Sequence, residues 1–315
     1  MTLPDIAPEA PDVLEERRWM QQAVSAQYDL VRQLGRGATG AVYLALDRTL
    51  QRWVAIKFLL PAFAYDLERR ERFRREALTN ARLTHPNIVP IHSFGEQAGV
   101  MFSVMQYIRG PSLAYTLSRQ QRLPVAEACR ILADLAGALD YAHRQRIVHR
   151  DIKPENVLVD SVTGRPMLTD FGIARAVSLD AMAAGEIRAE REMIRGTAHF
   201  MSPEQAAGEP ELDGRSDLYS LGILGYALLS GTLPFEGRTM LELAARHVTE
   251  TPPPLAERAA GAPREVVRVI TRCLAKTPEA RWATGDELRE ALLREGVHPR
   301  RMRWGGWVKR VVLRR

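Results

Sequence analysis

With 315 residues, 46% of them hydrophobic and 26% charged, the chain has the make-up of an ordinary globular protein that can bury a sizeable core in one large or two smaller domains. Its +6 charge is terminal: residues 298–315 hold Arg300, Arg301, Arg303, Lys309, Arg310, Arg314 and Arg315 with no acid, and the remainder carries 37 basic against 38 acidic side chains, so no basic nucleic-acid face is expected on the body. Two cysteines, Cys129 and Cys273, are too few for a disulfide framework or a zinc site, and no run of 18 apolar residues is present to cross a bilayer.

Residues 1–26 read as a partly disordered leader, acidic and Pro-rich, without the apolar segment of a secretory signal. It holds a short helical piece over Val13–Val24. From Tyr28 the pattern turns to β. Tyr28–Leu34, Ala41–Asp47 and Trp53–Leu59 are short and rich in β-branched or aromatic residues, with turn signals separating them. Asp66–Leu83 reads as a charged helix with Leu67, Phe73, Ala77 and Leu78 to one side, stopped by His85-Pro86-Asn87. Strands over Ile88–Gly95 and Val100–Tyr107 follow.

After Arg109-Gly110-Pro111 the chain becomes mainly helical. Helices are expected over Val125–Arg144, Ser216–Ser230, Thr239–Val248, Arg264–Ala275 and Gly285–Arg294. Ser216–Ser230 is apolar nearly all round and belongs in the middle of its domain. The expected fold class is α+β and bilobal. A small β-rich lobe with one long helix (27–108) joins a larger helical lobe (109–296), and a basic tail follows (297–315). A cleft between lobes is a favoured ligand site.

Leu34-Gly35-Arg36-Gly37-Ala38-Thr39-Gly40-Ala41-Val42 is a G-x-G-x-x-G-x-V run with strand patterns on both sides. Missing Cβ atoms let backbone N–H groups approach a phosphate closely. Alone the run also fits a flexible hairpin. A dinucleotide-binding fingerprint would need a helix after Gly40, where a strand is expected. Val54-Ala55-Ile56-Lys57 follows, and strand alternation puts Lys57 on the face of Ala55. Its amine suits α- and β-phosphates, with Glu76 of the next helix as a counter-charge or simply a solvated carboxylate.

His149-Arg150-Asp151-Ile152-Lys153-Pro154-Glu155-Asn156 precedes a strand at Val157–Asp160, and Asp170-Phe171-Gly172 follows another at Met167–Thr169. Phosphoryl transfer needs hard oxygens for Mg²⁺, an oriented hydroxyl and cations for the spreading charge. Asn156 and Asp170 offer the oxygens. Asp151 offers a proton acceptor, and Lys153 a cation for the γ-phosphate.

These runs resemble the eukaryotic-like (Hanks-type) serine/threonine protein kinases of bacteria. The likeness extends through Gly196-Thr197 to Met201-Ser202-Pro203-Glu204, Asp217 to Gly222, and Arg281, and covers about residues 28–295. It implies ATP with Mg²⁺, or Mn²⁺ in its place, and transfer to Ser or Thr hydroxyls of protein substrates, autophosphorylation included. The alternative is a pseudokinase-like ATP-binding scaffold. The resemblance makes Met105 the gatekeeper, Gln106, Tyr107 and Ile108 the adenine hinge, and Val42, Ala55 and Leu158 the apolar sandwich around the ring. It implies that Thr197 bonds the catalytic Asp151 and Lys153, that Glu204 pairs with Arg281, and that Asp217 holds the catalytic loop.

The chain departs from the pattern in two places. Only Ser178 carries a hydroxyl from Gly172 to Gly196, so either Glu190 or Glu192 pairs with Arg150 in place of a phosphate, or the stretch is a solvated charged helix or a disordered loop. Asn80 replaces the usual apolar residue one turn after Glu76. The tail mixes cations with Trp304 and Trp307, which fits a solvated end, an anionic membrane surface, nucleic acid (the lesser option) or an autoinhibitory contact. A cytoplasmic location is expected, with peripheral binding at the inner face of the membrane as an option. Substrates, oligomeric state and input signal are not legible.

Overall fold

A computed structural model describes residues 11–37, 40–171 and 198–296. These divide into two compact units, one running to Thr84 and including Pro90–Tyr107, the other comprising His85–Val89 and the chain from Ile108.

The first unit opens with helix α1 (Pro11–Val24) and an antiparallel sheet ordered β1-β2-β3-β5-β4. Its strands are β1 (Tyr28–Arg36), β2 (Gly40–Asp47), β3 (Arg52–Leu59), β4 (Ile91–Gln97) and β5 (Val100–Gln106). Alternation sorts the side chains: Tyr43 and Ala45 of β2 join Val54, Ile56 and Phe58 of β3 in one core with Met20, Ala23 and Val24 of α1. The β2–β3 turn is fixed by the buried carboxylate of Asp47, which accepts from Thr49 N and Leu50 N at 3.0 Å each. Helix α2 (Leu67–Asn80) starts where Asp66 accepts from Arg69 N and buries Phe73 beside Leu59 and Met101.

The strand expected over Ile88–Gly95 is split. Pro90 has no N–H to donate and separates two pairings. Val89 N bonds Leu168 O at 2.8 Å within the second unit, and β4 begins only at Ile91. The charged helix also stops at Asn80, three residues short of expectation.

The second unit contains α3 (Leu113–Gln120), α4 (Val125–Arg144), a β6–β7 hairpin (Val157–Val159, Pro166–Leu168), α5 (Pro203–Ala206), α6 (Gly214–Ser230), α7 (Met240–Thr249), α8 (Leu255–Arg258), α9 (Arg264–Cys273) and α10 (Gly285–Gly296). Every residue from Ser216 to Leu229 of α6 is buried, as its all-round apolar pattern predicts. Gly222 lets α9 approach: a Cβ there would lie 2.5 Å from Cys273 Cβ. The sequence missed α3, α5 and α8, which are short and carry little periodic signal. Cys129 and Cys273 are buried and free.

Candidate active site

In the first unit, β1 ends at Arg36 and β2 begins at Gly40, and Gly37 N donates to Gly40 O at 2.8 Å to close the turn. A strand follows the third glycine, which excludes the dinucleotide-binding arrangement. A Cβ on Gly40 would fall 2.9 Å from Phe58 O, so β2 and β3 meet there without room for a side chain. Leu34 sits at a register shift of β1 and is half-buried, whereas Gly35 and Arg36 are exposed. Ala38 and Thr39 lie outside the described residues.

Lys57 is opposite Val42 in the β2–β3 register. Its Nζ lies 2.6 Å from Glu76 Oε1, joining β3 to α2, with the two side chains only 18% and 16% exposed. Ala55 pairs with Met105 and Val54 with Gln106 across β3 and β5; Ala55, Ala41 and Met105 are buried and Val42 half-buried. Gln106 N is committed to Pro90 O at 3.0 Å. Tyr107 ends the first unit, and buried Ile108 opens the larger part of the second.

The second unit assembles the other residues. Lys153 Nζ lies 2.8 Å from Asp151 Oδ2. Asn156 Nδ2 donates to Asp151 Oδ2 at 2.9 Å and to Asp151 O at 2.8 Å. With both amide hydrogens used, Asn156 presents its Oδ1 as an acceptor. Thr169 N donates to Asn156 O at 3.0 Å, tying the strand before Asp170 to this loop. One amide oxygen and one half-buried carboxylate are the hard donors a magnesium ion takes from protein when phosphates and water complete its shell, so the donor set fits. Leu158 is half-buried in β6.

Two non-glycine residues here have left-handed backbones, Arg150 at φ 65° and Asp170 at φ 59°. Buried Asp217 at the start of α6 holds the first: its Oδ1 accepts from Arg150 N and its Oδ2 from His149 N, both at 2.8 Å. His143 Nε2 adds a contact of 2.7 Å to Oδ2. Burial works against the charge of Asp217, but the hydrogen bonds from His143 and His149 hold its carboxyl below the ordinary value. Burial lowers the pKa of His149 despite the nearby carboxylates, which favours a neutral ring. In that tautomer Nε2–H donates to Thr169 O at 3.1 Å and Nδ1 accepts from Asp151 N at 3.3 Å, while the ring packs on Phe171 with centroids 4.4 Å apart. Gln205 Nε2 donates to Arg150 O at 2.9 Å.

Glu204 and Arg281 form the expected pair, at 2.6 and 2.8 Å, in a buried setting. The sequence reading missed His143 and Gln205. His143 lies in the last turn of α4, 74 residues from Asp217, and no local pattern signals the pairing. Gln205 could have been flagged by the Ser202-x-x-Gln205 capping box that orders α5. Asn80 is buried, and among the described residues its Oδ1 has no hydrogen-bond partner. Gly172, Ser178, Glu190, Glu192, Gly196, Thr197 and the 297–315 tail lie outside the described residues.

Residues 28–293 match the protein kinase domain family model. Among curated relatives, serine/threonine-protein kinase PrkC of Bacillus subtilis is 37% identical over 84% of this chain, and PknB of Mycobacterium leprae 39% identical over 86%. PknA of Mycobacterium tuberculosis is 38% identical over 88% of the chain. The chain spans 40%, 43% and 64% of these three proteins, respectively. The crystal structure of the Mycobacterium tuberculosis PknI kinase domain superposes with a TM-score of 0.66 at 33% identity, covering 86% of this chain and 96% of that one. Family model, relatives and fold agree that the chain belongs to the protein kinase family, whose members use ATP with a divalent metal ion.

Proposed function

We propose that the chain transfers the γ-phosphoryl of ATP to Ser or Thr hydroxyls of protein substrates. The observation that carries this reading is the Asp151 carboxylate, fixed at 2.8 Å by Lys153 and 2.9 Å by Asn156 in a loop anchored on Asp217. Asp151 accepts the hydroxyl proton as the nucleophile attacks, and Lys153 steadies the transferred group. Lys57, oriented by Glu76, binds the α- and β-phosphates under the backbone amides of Gly35 to Val42. Met105 to Ile108 receive adenine, with Val42, Ala55 and Leu158 against its faces. Asn156 and Asp170 hold Mg²⁺, which when bound neutralises phosphate charge. Lys153 and the printed names of the relatives support Ser/Thr over Tyr.

The test is incubation with labelled ATP, Mg²⁺ and a generic protein acceptor, beside Asp151→Asn. Phosphoserine or phosphothreonine in the wild type alone supports the reading. Nucleotide binding without transfer in either protein would leave an ATP-binding scaffold instead. The cations and tryptophans of residues 298–315 support contact with an anionic membrane surface, and no described helix is long and apolar enough to cross one. Equal co-sedimentation with anionic liposomes after removal of residues 298–315 would end that part of the proposal.

A further inference from the structure

We propose that α1 is a splint on the glycine-rich strand, with Glu16, Arg17 and Gln21 as positioning residues for nucleotide binding. The inference rests on the kinase reading above.

Strand β1 is at the edge of its sheet, so one row of its backbone groups lacks a strand partner. Side chains of α1 occupy that row. Gln21 uses both ends of its amide: Nε2 donates to Tyr28 O at 2.9 Å and Oε1 accepts from Leu30 N at 2.7 Å. It takes the place of a residue on a missing strand. The β1–β2 register then shifts between Leu30 and Arg32, leaving Val31 outside the ladder. Arg17 Nη2 covers the irregularity, donating to Val31 O at 2.8 Å and Leu30 O at 3.0 Å.

The third contact reaches the phosphate loop. Arg36 stands between Gly35 and Gly37, and its two terminal nitrogens meet the two oxygens of Glu16 at 2.5 and 2.9 Å. This is a fork-to-fork pair, which fixes direction as well as distance. Glu16, Met20 and Val24 follow one another at i, i+4, with Arg17 and Gln21 alongside, so a single helical face makes all these contacts. Met20, Ala23 and Val24 back the polar clamps by packing with Tyr28 and Leu30.

A glycine-rich segment samples many conformations when free, and a ligand that needs one of them binds more weakly in proportion to that state's population. A strand held at three points along its length enters the loop with fewer conformations to lose. An exposed ion pair is weak, so removing Glu16 alone should raise the apparent dissociation constant for nucleotide only about 2- to 5-fold. Removing the clamps together should raise it further.

The experiment uses the full chain with Glu16→Gln, Gln21→Ala and Glu16→Gln/Arg17→Met/Gln21→Ala. Affinity for a fluorescent ATP analogue with Mg²⁺, KM for ATP, KM for an acceptor peptide, kcat and melting temperature are measured for each. The expected result is a graded rise in KM for ATP and in the analogue's dissociation constant, with peptide KM and kcat held. The charge swap Glu16→Arg/Arg36→Glu should bind nucleotide more tightly than Arg36→Glu alone. Melting temperatures that fall while nucleotide affinity of the folded protein stays at the wild-type value would make α1 a stabiliser only and overturn the inference. A wild-type chain that binds no nucleotide would defeat the kinase reading itself, a distinguishable failure.

Discussion

The Glu204–Arg281 pair allows a stability prediction from its hydrogen-bond census. Arg281 has five N–H donors, and all five have acceptors. Two meet Glu204, and three go to the carbonyls of Ala275, Arg215 and Lys276 at 2.8, 3.0 and 2.9 Å. Its guanidinium also lies 5.0 Å from the Tyr219 ring centre. Glu204 accepts in addition from Ser216 Oγ. With Arg281 1% and Glu204 6% exposed, removing one partner strands a buried charge, a change that costs about 3–5 kcal/mol.

Glu204→Gln keeps the shape and one acceptor, so it should sit near ~3 kcal/mol; Arg281→Met also orphans three carbonyls and should reach ~5 kcal/mol. At about 2–4 °C per kcal/mol for a unit of this size, Glu204→Gln should melt roughly 6–12 °C lower. The double variant Glu204→Gln/Arg281→Met should cost at least ~2 kcal/mol less than the sum of the singles, because no charge is left buried.

There is also a pH signature. Burial opposes the charge of Glu204, but Arg281 and Ser216 hold its carboxyl below the ordinary glutamate value of 4.5. Its contribution is therefore complete above that value and is lost as pH falls toward the depressed folded value. Glu204→Gln should flatten the acid limb of the stability curve. Urea and thermal unfolding by circular dichroism read all three effects. A Glu204→Gln protein melting within about 2 °C of wild type at pH 7 would refute the reasoning, because the pair would then contribute no more than a surface contact.

Lys57→Met should lose at least about 100-fold in phosphotransfer while keeping its fold, since the residue is expected to act on phosphate rather than in packing; unchanged turnover would remove Lys57 from the site. Asn80→Leu should raise the melting temperature by roughly 2–6 °C, because the orphaned Oδ1 is replaced by an apolar group of similar size. A drop would mean that the amide is needed. Lys276 tests linkage: its amine donates to His247 O at 2.7 Å and lies 4.5 Å from the Phe235 ring centre, and burial above all pulls its pKa down to about 8. The unfolded chain then binds the extra proton between about pH 8 and the ordinary lysine value of 10.5, so stability should rise with pH across that window. Lys276→Met should lose that slope, and a slope kept in the variant would assign it to other groups.

Much of the site could be read from sequence because its chemistry is compressed into short runs. Asp151, Lys153 and Asn156 lie within six residues, and the loop that joins them also brings their side chains to 2.8–2.9 Å. Lys57 and Glu76 are 19 residues apart, yet a strand followed by a helix with an acid directly after Phe73-Arg74-Arg75 was enough to suggest the contact at 2.6 Å. Other features depend on what packs where. The Val13–Val24 helix was legible, but its docking was not: Gln21 and Arg17 are unremarkable until an edge strand lies beside them. The apolar pattern carries one strand over Ile88–Gly95 straight through Pro90, whereas Val89 and Ile91 belong to different units. That Asn80 Oδ1 lacks a partner among the described residues could not be foreseen either, because a sequence shows which polar group is present and not what surrounds it.

The backbone of the catalytic loop was the least legible part. Arginine at φ 65° and aspartate at φ 59° occupy a region that costs of order 1–3 kcal/mol unless surrounding structure imposes it. Here the surroundings do. Asp217 takes two consecutive amides, His149 N and Arg150 N, and consecutive amides converge on one carboxylate only if the chain bends sharply at that point. Gln205 restrains the carbonyl side of the same residue. His149 links the loop to Thr169, immediately before the second strained residue. Removing the carboxylate would therefore free Arg150 to relax toward an ordinary conformation, and Asp151 would move with it. The buried acid of α6 never needs to touch a substrate to set where the Asp151 carboxylate sits. Asp217→Asn should accordingly lower kcat more than it raises KM for ATP, and the opposite split would place Asp217's influence on nucleotide binding.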